Sequence, residues 1–167
     1  ETSTNIEYHV NDGRSLAMVT DGSVDFAFSF DSLVHVEADV LGDYIAQLAT
    51  KLAPDGVAFL HHSNVGSHPV ARAVAHRVPP RFLRPLVDRG VVLDLFAWRA
   101  ETVSADVVAA QCERAGLACV SQELITWQFG WFLMDTITVV ARPGSRWDRP
   151  RRTVRNRLFR REARRTA

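Results

Sequence analysis

Val24-Asp25-Phe26-Ala27-Phe28-Ser29-Phe30-Asp31-Ser32-Leu33-Val34-His35 decides the fold, read with its echo Gly56-Val57-Ala58-Phe59-Leu60-His61-His62-Ser63-Asn64. Each stretch starts at a turn, Asp21-Gly22 or Pro54-Asp55-Gly56. Each then runs through an apolar segment of strand length and stops in polar residues able to do chemistry. Apolar runs of this kind suit strands covered on both faces, as in a parallel sheet between helices. Ligands of such sheets sit beyond the carboxyl ends of the strands. Asp31, His35, His61, His62 and Asn64 therefore stand where a site is expected.

Outward from these strands the chain alternates. Residues 37–52 carry Val40, Leu41, Tyr44, Ile45, Leu48 and Leu52 on one helical face. Strand, helix, strand over 24–30, 37–52 and 57–62 make a βαβ unit. Upstream, residues 5–10 alternate polar and apolar before the turn signal Asn11-Asp12-Gly13, and predict a short strand. Downstream, residues 64–85 form a long connection, with a short helix expected over 70–76 and a substrate-binding role suggested by its length. Residues 91–96 are open between strand and loop. A helix is expected over 102–115, with Ser104 as N-cap and Gly116 just past its end. Two strands follow, over 118–126 and 134–141, joined by the aromatic segment 127–132, a bend or a pocket wall.

At 167 residues, 47% of them hydrophobic, the chain suffices for one domain with a sizeable core. It has no apolar run near the roughly 20 residues a membrane span requires. The opening Glu-Thr-Ser-Thr-Asn has neither an initiator Met nor a signal-peptide pattern, which sets the expectation of a shortened protein. Two cysteines, Cys112 and Cys119, are too few for a disulfide framework, so free thiols in a reducing cytoplasm are expected. The net charge of +1 hides an asymmetry: residues 142–167 hold eleven arginines against Asp148 and Glu162, net +9, and the preceding 141 residues sum to −8. The division expected is a folded part over 1–144 and an arginine-rich tail over 145–167. A helix over 153–165 is either solvated or a contact for an anionic surface: lipid, nucleic acid or an acidic partner.

Four motifs in order resemble the C-terminal two-thirds of a class I S-adenosylmethionine-dependent methyltransferase. They are Asn11-Asp12-Gly13-Arg14-Ser15-Leu16 after a strand, Asp21 to Phe30 as the fourth-strand motif, Leu52-Ala53-Pro54-Asp55-Gly56-Val57-Ala58-Phe59 turning into the fifth strand, and Ala115-Gly116-Leu117 before two closing strands. The resemblance covers residues 5–142. It implies an α/β fold: a Rossmann-like methyltransferase sheet, mostly parallel, with a C-terminal antiparallel hairpin. The family's opening strand and glycine-rich loop have no counterpart before Asn5, so the N-terminal strands are expected to be missing from this stretch.

The resemblance implies S-adenosylmethionine as cofactor, with Asp12 on the adenine amine and Gly13, Ser29 and Phe30 as further cofactor contacts. It sets Asp31, His35 and His62 as candidates for removing a proton from the acceptor. If residues 32 onward are helical, Asp31 and His35 share a face. A His beside a carboxylate is a competent base near neutral pH. Alternation sends His61 and His62 to opposite faces, so one of them faces the pocket, with Asn64 as an added polar contact. Several bases favour an oxygen acceptor, on a small molecule or sugar. No metal is expected, since Asp31 and His62 alone do not make a metal motif. The rival from another class is a non-catalytic fragment acting as an interaction module. A nucleic-acid methyltransferase gains from the tail but lacks the Asn/Asp-Pro-Pro-aromatic run of base amino-group modification.

Overall fold

The computed structural model describes residues 5–79, 81–82, 85, 98–127 and 132–166. Its strands are β1 (Val24–Leu33), β2 (Leu52–Ser63), β3 (Ala118–Ile125), β4 (Asp135–Ala141) and β5 (Arg152–Asn156). Its helices are α1 (Ala38–Lys51), α2 (Pro69–Arg77), α3 (Ala105–Arg114) and α4 (Phe159–Thr166), with a short 3-10 turn at Val65–Ser67. None of these helices is long and apolar enough to cross a membrane.

The sheet order is β1-β2-β4-β3-β5. β1 and β2 are parallel, β4 runs antiparallel to both its neighbours, and β5 lies parallel to β3. Four strands therefore share one direction and β4 alone is reversed, inserted between β2 and β3. This is the mostly parallel, Rossmann-like sheet with a closing antiparallel hairpin that the resemblance implies.

The core explains why α1 and α3 settle where they do. Leu41, Ile45 and Leu48 form the buried stripe of α1, spaced for one helical face. They cluster with Ala58 and Leu60 of β2, Val140 of β4, and Val108 and Cys112 of α3. Ser104 caps α3 by accepting from the Val107 N–H at 3.2 Å, as expected from its position. The opposite face is different. Phe28 pairs with Phe59 in register, yet Phe26 and Phe28 are 59% and 64% exposed. The expectation that both faces are covered is corrected for this end of the sheet: α1 and α3 pack on one side, and β1 carries an open aromatic row on the other.

Two further expectations change. Residues 5–10 form no strand; Ile6, Tyr8 and Val10 are exposed, because alternation without a neighbouring strand to pair gives no ladder. Residues 153–165 are not one helix. Thr153 and Val154 favour extended backbone, the edge of β3 accepts them as β5, and α4 starts only at Phe159. Arginine-rich sequence therefore joins the sheet instead of trailing from it. The stretch 91–96 lies outside the described residues, as do residues 128–131 of the aromatic segment.

The turn into β2 is absorbed as an irregularity, with a register shift against β1 between Val24 and Phe26. Here Gly56 is required by close approach: a Cβ would stand 2.3 Å from the Val24 carbonyl oxygen and 2.9 Å from the Ala53 nitrogen. At Gly42 the nearest atom is the flexible end of Gln111, at 2.9 Å. Gly56→Ala should therefore lose about 1–3 kcal/mol through forced backbone shifts. Gly42→Ala should change stability by no more than about 1 kcal/mol. Urea midpoints measure both, and equal losses would refute the steric account.

Candidate functional site

β1 ends irregularly. Its register against β2 shifts between Ser29 and Leu33, and Asp31 takes a positive φ of 60°. A non-glycine residue there is strained by about 1–3 kcal/mol and persists only where its surroundings hold it. The holder is His61 of β2, whose Nδ1 accepts the Asp31 backbone N–H at 3.0 Å. That acceptance places the imidazole proton on Nε2.

His61 Nε2 faces Asp135 Oδ2 at 3.6 Å, beyond hydrogen-bond distance, and both side chains are wholly buried. Asp135 opens β4, and because β4 is reversed, its first residue lands at the carboxyl ends of β1 and β2. Arg99 clamps the carboxylate from both sides, Nε to Oδ1 at 2.6 Å and a terminal nitrogen to Oδ2 at 2.9 Å. Burial pushes the Asp135 carboxyl up, but the Arg99 guanidinium and His61 outweigh it and hold it below the usual carboxylate value. Phe30 stacks on His61 at 4.6 Å between centroids, and Trp127 stands edge-on to both rings. Asp31 and Ser32 are exposed above this base, with Ser32 Oγ bonded to Ser29 Oγ at 2.9 Å.

The expected residues sort unevenly. Ser29, Phe30 and Asp31 meet at this edge. His62 points to the other face, as alternation requires, and is fully buried. Its Nδ1–H donates to the Ser63 carbonyl at 2.8 Å and its Nε2 accepts from Thr138 Oγ1 at 2.8 Å. With both nitrogens engaged, His62 has no free lone pair, and its proposed role as a base is corrected on that ground. His35 is exposed, and its Nδ1 bonds the Trp98 carbonyl. Asp12 caps its own turn, Oδ1 accepting from the N–H groups of Arg14 and Ser15 at 2.9 and 2.7 Å. Those backbone bonds hold its carboxyl below the usual value. Arg14 then ties the turn to α1 through Asp39 and Asp43. Asp12, Gly13 and His35 make no hydrogen bond to the His61 group among the described residues. No cluster of three metal-ligating side chains occurs among them either.

Arg99 and Asp135 are the site residues that sequence reasoning missed. Asp135 had a signal, a carboxylate heading a β-branched buried strand. Arg99 had none, being one arginine of nineteen.

No protein-family model matches the chain, and no curated protein matches it. Solved structures are similar at low identity. The PH0226 protein from Pyrococcus horikoshii OT3 is 18% identical with a TM-score of 0.48, over 83% of this chain and 60% of that one. The cyclopropane synthase MmaA2 from Mycobacterium tuberculosis is 22% identical with a TM-score of 0.40, over 61% and 35%. PKMT2 from Rickettsia typhi is 12% identical with a TM-score of 0.43, over 75% and 37%. The chain thus spans 35% to 60% of the length of these structures.

His62 gives a pH signature. Burial lowers its pKa from 6.5 to about 4, against the smaller opposing effect of the Ser63 carbonyl. Between those values the unfolded chain binds a proton that the folded chain refuses, so stability is lost as pH falls through that window. At about 1.4 kcal/mol per unit, the loss approaches ~3 kcal/mol. Denaturant titrations at pH 7 and pH 4.5 measure it. His62→Gln should abolish this slope; a slope unchanged in that variant would assign it elsewhere. Asp135 does not mimic it, since a depressed carboxyl loses its stabilising effect only at lower pH.

Proposed function

We propose that this chain forms the acceptor-side wall of an S-adenosylmethionine-dependent methyltransferase that acts on a hydroxyl of a small molecule or sugar. The observation that carries the reading is Asp31, held at positive φ by His61 above buried Asp135 and its half-buried partner Arg99 at the carboxyl edge of β1 and β2. The motif order over residues 5–142 and the insertion of β4 between β2 and β3 support it.

Bound S-adenosylmethionine supplies an electrophilic methyl group on sulfur. This chain's task is to align the acceptor oxygen and take its proton. Asp31 offers an exposed carboxylate on a rigid support. His35 offers a second base: with Nδ1–H donated to the Trp98 carbonyl, Nε2 keeps its lone pair. Phe30 roofs His61 and excludes water from the base of the site. For the cofactor, the fit is partial. Asp12 keeps Oδ2 for an amine, the space around Gly13 is open for 4 Å where a Cβ would stand, and Ser29 and Phe30 border the edge. A second wall is required along the free side of β1, beside exposed Phe26 and Phe28. We assign it to sequence beyond these 167 residues, leaving 1–144 a partial domain. The two thiols are free, which suits a cytoplasmic setting. The same aromatic row favours the second reading, an interaction module without catalysis.

Calorimetric titration with S-adenosylmethionine separates the two. Residues 1–167 should show no saturable binding below roughly 1 mM, the upper end of ordinary enzyme affinities. A form extended by its own upstream coding sequence should bind. Failure of both forms to bind would leave the interaction module. In the extended form, Asp31→Asn or His35→Ala should lower turnover by about 10²–10⁴-fold for whichever is the base.

A further inference from the structure

We propose that the arginine-bearing C-terminal strip, β5 with α4, binds the phosphate backbone of nucleic acid without reading bases. The strip is built, not trailing. β5 pairs with β3 from Arg152 to Asn156. Asn156 Nδ2 donates to Glu123 at 2.6 Å and to Glu162 at 2.7 Å, and Asn156 Oδ1 accepts the Leu158 N–H at 2.9 Å. Phe159 packs edge-on against Trp127 at 5.0 Å. On this scaffold Arg151, Arg152, Arg155, Arg161, Arg164 and Arg165 are all exposed. Residues 142–167 carry net +9, and of their two carboxylates, Asp148 accepts the Gly144 N–H and Glu162 accepts from Asn156.

Two features choose the partner. An amphipathic helix that lies in a membrane inserts an apolar face. The only large apolar side chain of α4 is Phe159, which packs on Trp127; elsewhere the strip exposes just Val154 on the strand and Leu158 before the helix, too few for an inserted face. Exposed guanidinium groups carried on the ordered backbone of β5 and α4 instead suit phosphates, which they can bond bidentately. No exposed aromatic interleaves with these arginines on β5 or α4, so base stacking and sequence preference are not expected. Charge on an edge strand also discourages strand pairing with other molecules; Arg152 and Arg155 of β5 suffice for that, and it does not account for Arg161, Arg164 and Arg165 of α4.

The test is fluorescence anisotropy of the full 167-residue chain with a labelled 20-base-pair duplex and with a labelled 20-nucleotide dT oligomer. Flotation with phosphatidylserine vesicles is run in parallel. Six phosphate contacts should weaken duplex binding by about 10³-fold between 50 and 200 mM salt. Replacing Arg161, Arg164 and Arg165 together by Gln should cut the slope of log K against log salt by about half, and Arg152→Gln with Arg155→Gln by about a third. Unchanged denaturant midpoints establish that these surface variants remain folded. Preference for the oligomer over the duplex would identify single strands as the target within the same class. Vesicle binding without nucleic-acid binding overturns the proposal, as does a salt slope that the arginine variants leave unchanged.

Discussion

A carboxylate buried at the head of a reversed strand must find a cation, and Asp135 finds Arg99. Two short hydrogen bonds close that pair, at 2.6 and 2.9 Å, with Asp135 wholly buried. Removing one partner from such a pair typically destabilises by about 3–5 kcal/mol, because the other charge is left stranded. The pair also reaches across the chain. Arg99 follows the long connection after β2, Asp135 starts β4, and between them they fix where that connection returns to the sheet. Arg99's neighbour Ala100 then joins β1 and β2, its N–H donating to Val34 and its carbonyl accepting from Ser63 Oγ.

From this pair the order of dependence runs upward to the exposed site. Asp135 sets a negative field beside His61, His61 presents Nδ1 to the Asp31 N–H, and Asp31 is held in backbone that it would not adopt alone. His61 and Asp135 are wholly buried, with Phe30 and Trp127 packed against the imidazole.

How much of this was legible in the sequence depends on how local each signal is. The α1 stripe, the Ser104 cap and the two strands 24–30 and 57–62 were readable, because periodicity and capping are decided within one or two turns. The reversal of β4 was readable only through the resemblance. The opposite facing of His61 and His62 followed from alternation, but which of the two lies under Asp31 did not. That choice depends on the register of β1 against β2, which a bulge at Ser29–Leu33 alters. The pairing of Asp135 with Arg99 was hidden because the two lie 36 residues apart and Arg99 sits in an unpatterned segment. β5 was misjudged for a related reason: arginine tolerates helix and edge strand alike, and the free edge of β3 decided between them.

β5 in turn bears on the site. Through Phe159, the C-terminal strip presses on Trp127, which stands against both Phe30 and His61. The aromatic roof over the buried histidine is thus anchored by a segment that exposes several arginines. Aromatic contacts of this kind contribute roughly 0.5–1.5 kcal/mol each beyond the area they bury. Asn156 adds a polar hinge point by joining Glu123 of β3 to Glu162 of α4. The cationic strip and the Asp31 edge are therefore joined through one run of aromatic contacts, Phe159 to Trp127 and Trp127 to Phe30 and His61.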